Sequence, residues 1–207
     1  MSDTESGWER RRHLLLTKYE RVAWELFAAR GFQHVTVDEI AEVAGVSTRT
    51  LFRYFPTKED FLLGYPRRGI AGFVEMVAQL EPCPTPLEAG WQQVRDYYLQ
   101  FPLDPEVLTL WRRAVAEAPE VHARVRGERT HALTEAFTAY CAACICADPS
   151  DDVRPRVLAG VLVGVESSVV ELWGRSRTPL AEILDAAERS IPGLGPSRPT
   201  CIPHAVG

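Results

Sequence analysis

No segment of this 207-residue chain alternates apolar and polar residues over a strand's length, which argues against a sheet. No apolar run is long enough to cross a bilayer either: the longest, Val157 to Trp173, is interrupted by Glu166, Ser167, Ser168 and Glu171. Also missing are a glycine-rich phosphate loop, a His-Glu-x-x-His pair, a nucleophile elbow and two carboxylates in an acid/base arrangement. The enzyme classes that announce themselves in sequence are therefore excluded. No histidine stands at ligand spacing from the cysteine cluster, no internal repeat is present, and no apolar signal run opens the chain. The expectation is a cytoplasmic protein without cofactor, metal or membrane contact, and not an enzyme. A catalyst in an all-α shell is kept only as a third reading, because it leaves the stretch described below without a role.

What is present is an ordinary globular composition, 46% hydrophobic and 25% charged, whose net charge of −5 is unevenly placed. Eleven Lys/Arg stand against ten Asp/Glu up to Arg68, and twelve against eighteen beyond it. Net acidity does not exclude a nucleic-acid partner, since only the contacting face needs to be basic.

The chain is organised around Thr36 to Lys58, TVDEIAEVAGVSTRTLFRYFPTK. Thr36 and Glu39 have the spacing of a capping box, and Val37, Ile40, Ala41 and Ala44 then recur on one helical face. Gly45 supplies the left-handed residue that ends a helix, and Ser47 can cap the next. That second helix, Thr48 to about Tyr54, buries Leu51 and Phe55 and turns Thr48, Arg49, Thr50 and Arg53 outward. A short helix with such groups near its N-terminus fits a DNA major groove. Pro56 stops it, and the helix that starts after Thr57 places Lys58 where an ammonium and backbone N–H groups meet a phosphate.

The run Ala23, Leu26-Phe27, Gly31-Phe32, Thr36-Val37, Ile40-Ala41, Ala44-Gly45-Val46-Ser47, Leu51-Phe52, Tyr54-Phe55 and Lys58 resembles the N-terminal DNA-binding domain of TetR-family transcriptional regulators. The resemblance covers the first quarter to third of the chain. One departure is Phe52, where the family usually has Tyr, so that Tyr54 or Ser47 would carry more of the phosphate contact. Trp111-Arg112-Arg113 followed by Glu117-Ala118-Pro119-Glu120-Val121 is more loosely similar to the acyl-CoA-responsive branch of that family. Arg10, Arg11 and Arg12 are either a solvated helix end or, as the resemblance implies, an arm on the DNA backbone or in a minor groove.

Leu15 to Arg30 carries a helical apolar stripe that supports the two short helices, completing a three-helix headpiece. Beyond Lys58 the helix contains Pro66, which predicts a kink or break near Tyr65, either a hinge or a plain stop and restart. Further helices are expected over Pro86 to Phe101, Pro105 to Glu117, Glu120 to Ala147, Arg154 to Arg175 and Pro179 to Ser190. The architecture is thus all-α, about nine helices. Residues 1–56 form a helix-turn-helix domain, 57–190 a helical effector-binding and dimerisation bundle, and 191–207 a disordered Pro/Gly-rich tail.

If the resemblance holds, the second domain supplies a dimer interface and an effector cavity. Val161, Val165, Val169 and Leu172, with Leu180 and Leu184, offer an apolar surface that serves either as interface or as plain core. Trp91, Tyr98, Trp111, Phe137 and Tyr140 are core or cavity lining. Glu166, a carboxylate in a strongly apolar helix, should be paired or functional, with Arg112, Arg113 or His131 as partner. Cys141, Cys144 and Cys146 cluster at a helix end and are either small buried hydrophobes or, with Cys83 or Cys201, a metal or oxidant site.

Together these features predict a ligand-responsive repressor, a homodimer on a palindromic double-stranded operator, released by a small hydrophobic effector of unknown identity. A thiol- or metal-sensing regulator on the same scaffold is the alternative.

Overall fold

The computed structural model describes residues 7–100, 104–173, 175–176 and 178–190, with backbone alone for residues 7–10 and 105. The disorder expected for 191–207, and Cys201 with it, lies outside the described residues. Among those residues there are nine α-helices and no strand: α1 (Gly7–Arg30), α2 (Val37–Ala44), α3 (Thr48–Tyr54), α4 (Asp60–Ala78), α5 (Pro86–Gln100), α6 (Pro105–Ala116), α7 (Pro119–Ile145), α8 (Arg154–Trp173) and α9 (Leu180–Ser190). A single 3-10 turn, Phe32–His34, joins α1 to α2.

The chain forms two compact units, one of residues 1–69 and 103–128, the other of 70–102 and 129–207. The first unit therefore takes in the start of α4, all of α6 and the start of α7, and the division does not fall after Pro56. α1 is the spine of this unit, burying Ala23, Trp24 and Phe27 completely and packing on α2 and α6. Gly31 ends α1 at φ 85, a conformation costly for any side chain, and lets Phe32 turn back edge-on against Phe27 at 4.9 Å.

α4 runs unbroken through Pro66, so of the kink or break expected near Tyr65 the break does not occur. Proline has no N–H for the carbonyl four residues back, which here belongs to Leu62. The Trp111 indole N–H donates to that carbonyl at 2.9 Å, and the Trp24 indole donates to its neighbour, Phe61 O, at 2.6 Å. Tryptophans from α6 and α1 thus satisfy the carbonyls around the proline, and the helix continues. Two bidentate ion pairs complete the bracing: Arg68 donates to both oxygens of Glu20 (2.9 and 2.6 Å), and Arg67 to both of Glu128 (2.8 Å each). Glu20 is fully buried, and burial raises its pKa against the opposing pull of Arg68.

In the second unit α5 packs on α8 and α9. At Gly90 the helices approach so closely that a Cβ would come within 2.8 Å of Leu162 Cδ1, and a larger residue there would require the Leu162 side chain to move. Arg95 ties α5 to α9 through Asp185 (2.6 Å) and Glu188 (3.5 Å). α8 turns Leu162, Val165, Glu166 and Val169 into this unit's own core, and α9 does the same with Ile183 and Leu184. That corrects the expected interface: Val165, Val169 and Leu184 are consumed within the unit. The outward stripe of α8 is Val157, Gly160, Val161, Gly164 and Leu172, with Val157 and Leu172 more than half exposed. Leu180 is half-buried.

Candidate nucleic-acid interface

The geometry of α2 and α3 is set by hydroxyl groups at their ends. Thr36 Oγ1 accepts from Glu39 N–H at 3.3 Å while the Glu39 carboxylate accepts from Thr36 N–H at 2.8 Å, the reciprocal cap the spacing predicts. Arg30 donates to the same carboxylate at 2.6 Å; the Thr36 N–H first, and Arg30 after it, hold Glu39 down at about 2. Gly45 closes α2 at φ 70, and Ser47 caps α3 by accepting from Thr50 N–H at 3.2 Å. Thr48 Oγ1 donates to Asp38 Oδ1 at 2.5 Å, fixing α3 to α2.

Leu51 and Phe55 are buried, the latter stacked on Phe61 at 4.2 Å, and this sets the rotational phase of α3. Arg49, Phe52 and Arg53 consequently face outward, with Phe52 46% exposed. Arg53 lies over the Tyr54 ring at 4.8 Å and donates to its hydroxyl at 3.0 Å, so these two side chains form one unit. The sequence-predicted residues therefore separate by role. Thr36, Ser47, Thr48 and Thr50 spend their hydroxyls on caps and on the tie to α2, whereas Arg49, Arg53 and Tyr54 remain on the surface with Phe52. The bracing Asp38 has no signal in the sequence reading, and Phe52 enters it only for the hydroxyl it lacks, not as an exposed apolar contact. Counting 100° from buried Leu51 places Phe52 outside, and that was the available signal.

Lys58 makes contacts that its place in the sequence does not indicate. Its ammonium donates to Phe32 O at 3.0 Å and Val35 O at 3.2 Å, and sits 4.4 Å from the Phe32 ring centroid. Two of its three donors thus bind the turn between α1 and α2, because the carbonyls there have no helical partner. Arg11 and Arg12 are exposed in α1; Arg10 lies in the same helix, with its side chain outside the described residues.

In the second unit Glu166 is fully buried, and its Oε1 accepts from both Arg129 and the Tyr98 hydroxyl. Arg129 is the partner, not Arg112, Arg113 or His131. Burial raises Tyr98 to about 12, partly offset by Arg129, so it remains a donor at any physiological pH. Glu166 Oε2, Trp91 Nε1 and Thr138 Oγ1 are buried without a hydrogen-bond partner among the described residues. Phe137 lies against Gly90 and Phe73 in the same core.

Two expected members are elsewhere. Trp111 belongs to the first unit, where it serves Leu62, since its indole N–H is the donor that Pro66 lacks. Tyr140 lies beside Cys83 and Cys144, three turns along α7 from Arg129. No group of three or more His, Cys, Asp or Glu among the described residues is placed to hold a metal ion.

Comparison with known proteins agrees with this arrangement. Residues 21–65, which carry the second half of α1 through the start of α4, match the family model for bacterial regulatory proteins of the tetR family. The chain is 31% identical over 191 residues to MftR of Mycobacterium tuberculosis, described as a transcriptional regulator, covering 88% of this chain and 92% of that one. It is 32% identical over 188 residues to the HTH-type transcriptional regulator TcmR of Streptomyces glaucescens, covering 85% and 80% respectively. A transcriptional regulator from Aquifex aeolicus shares the fold at a TM-score of 0.53 and 16% identity, covering 85% of this chain and 96% of that one. A helix-turn-helix with a braced reading helix, joined to an all-helical second unit and related over nearly its whole length to such regulators, leaves one assignment: the chain belongs to the tetR family of DNA-binding transcriptional regulators.

Proposed function

We propose that this regulator is a homodimeric, cytoplasmic repressor that holds a palindromic operator and releases it when a small, largely apolar effector enters the second unit. The observation that carries the DNA half is the outward triad Arg49, Phe52 and Arg53 on a helix whose other polar groups are already bonded. Arg49 and Arg53 supply donors for guanine edges or phosphates, and Phe52 supplies an apolar contact for a thymine methyl. Arg11 and Arg12 add charge for the backbone.

The outward stripe of α8 supports a two-fold pair. Gly160 and Gly164 have nothing within 4 Å of where a Cβ would stand, so a second helix can approach closely between Val157 and Leu172. Two copies then present two reading helices to half-sites about 34 Å apart. The unpartnered Glu166 Oε2, Trp91 Nε1 and Thr138 Oγ1 support an effector that brings its own donor and acceptor, because buried polar atoms are normally paired. An effector that prefers the conformation poorly matched to the operator must lower DNA affinity by the same factor that DNA lowers its own.

Binding of the purified protein to DNA upstream of its own coding region, at two salt concentrations and against random competitor, tests the reading. Tight, competitor-resistant binding that weakens steeply with salt is expected. Binding abolished by random competitor on every fragment of a genomic library would refute a sequence-reading repressor.

A further inference from the structure

The linker between α4 and α5 reads Glu81-Pro82-Cys83-Pro84-Thr85, with its cysteine held between prolines. Cys83 N–H donates to Cys144 Sγ, near the end of α7, at 3.3 Å. One bond further on, Cys83 Cα lies no more than about 4.8 Å from that sulfur, so the two cysteines are immediate neighbours. Tyr140, one helical turn before Cys144, closes the group: its hydroxyl is 3.4 Å from Cys83 Sγ and also hydrogen-bonds Cys144. Both cysteines are half-buried, open to a small oxidant, whereas Cys141 is fully buried and Cys146 is exposed with its thiol turned to Ala143 O. All these groups belong to the second unit.

We propose that Cys83 and Cys144 are a disulfide-forming pair, oxidised by small hydroperoxides, with Tyr140 as the positioning residue between the two sulfurs. Burial holds the Cys144 thiol above its usual range, and the hydrogen bonds from the Cys83 N–H and the Tyr140 hydroxyl offset part of that, so the thiolate is the minor form and these two donors are what stabilise it when it forms. It attacks the outer oxygen of the hydroperoxide; the O–O bond breaks, the alkoxide leaves and is protonated to the alcohol, and Cys144 becomes a sulfenic acid. The Cys83 thiolate then attacks Cys144 Sγ, the S–O bond breaks, and hydroxide departs as water. Two thiols and one hydroperoxide give one disulfide, one alcohol and one water, with two electrons passing from sulfur to the peroxide. The crosslink joins the linker after α4 to the end of α7 and closes the long loop between them.

The test is peptide mapping by mass spectrometry of the full chain, alkylated after treatment with cumene hydroperoxide and again after reduction. The expected product is a linked Cys83–Cys144 peptide that disappears on reduction, with a melting temperature about 5–10 °C higher in the oxidised protein. Cys83→Ser must abolish the linked peptide, the pair Cys146→Ser and Cys201→Ser must leave it, and Tyr140→Phe must slow its formation severalfold while the reduced protein keeps its fold. Separate over-oxidation of Cys83 and Cys144 without a linked peptide would overturn the proposal. So would a link from Cys144 to Cys146, or a Tyr140→Phe variant that closes at the wild-type rate. None of these outcomes depends on operator or effector binding.

Discussion

Trp111→Phe should destabilise the first unit chiefly because of Pro66, four residues beyond the carbonyl that Trp111 serves. In the wild-type chain Leu62 O accepts from the indole at 2.9 Å, and Trp111 is 8% exposed. Phenylalanine keeps most of the ring but leaves that buried carbonyl without its donor, at a cost of about 1–3 kcal/mol, to which the smaller side chain adds a packing loss. The two contributions separate in a Pro66→Ala background, where the new backbone N–H can bond Leu62 O in the ordinary helical way. The packing loss stays and the hydrogen-bond loss goes, so Trp111→Phe should cost about 1–2 kcal/mol less with Ala at 66 than with Pro. At roughly 2–4 °C per kcal/mol for a chain of this size, the difference is readable by thermal unfolding and by urea titration of the four proteins. Equal costs of Trp111→Phe in both backgrounds would refute the idea that the indole stands in for the missing N–H.

Arg49→Ala should relax base preference at one half-site position by about 1–3 kcal/mol in competition binding, with little change in melting temperature. Lys58→Ala should instead lower the melting temperature, since it strips donors from Phe32 O and Val35 O; an unchanged melt would show that Lys58 is not a brace. On α8, Gly164→Glu should convert the proposed dimer to monomer in sedimentation, because Gly164 faces open space in the single chain and would bury a charge in the pair. A Gly164→Glu variant that stays dimeric at micromolar concentration would place the interface elsewhere. Glu39 and Glu128 are both held at about 2, Glu39 mainly by the Thr36 N–H and Glu128 mainly by Arg67. Their folded pKa values lie below the unfolded ones, so the stability they add is full above about pH 4.5 and is lost as pH falls toward 2. Glu39→Gln and Glu128→Gln together should flatten the acid limb of the stability curve, and an unaltered limb would count against those partners.

The helix-turn-helix was legible because its signals are local. Thr36 with Glu39, Gly45 and Ser47 specify starts and stops through bonds that reach no further than four residues, and each is where its spacing places it. The failures have the opposite character. Pro66 allows a break when only its own helix is considered, and the donor that replaces its missing N–H comes from Trp111, far along the chain. That Lys58 also binds two carbonyls of a preceding turn was hidden for the same reason, since Phe32 and Val35 stand far before it in the chain. α8 is apolar around nearly its whole circumference, so periodicity could not tell the Val165 and Val169 face, turned inward, from the Val157 and Gly164 face, turned out. Burial of Trp91, Tyr98, Phe137 and Glu166 was foreseeable from composition, but the identity of Arg129 as ion partner depends on helix packing alone.

The ties of Thr48 to Asp38 and of Ser47 to Thr50 also bear on how fast this regulator finds DNA. A reading helix whose hydroxyls are bonded before any operator arrives has little ordering left to do on contact. Association should then be governed by collision and charge, with a rate that falls as ionic strength rises and shows no slow first-order phase from the headpiece itself. The heat-capacity change of binding should correspondingly match the apolar surface buried at the groove, without the excess that accompanies a segment folding on its target.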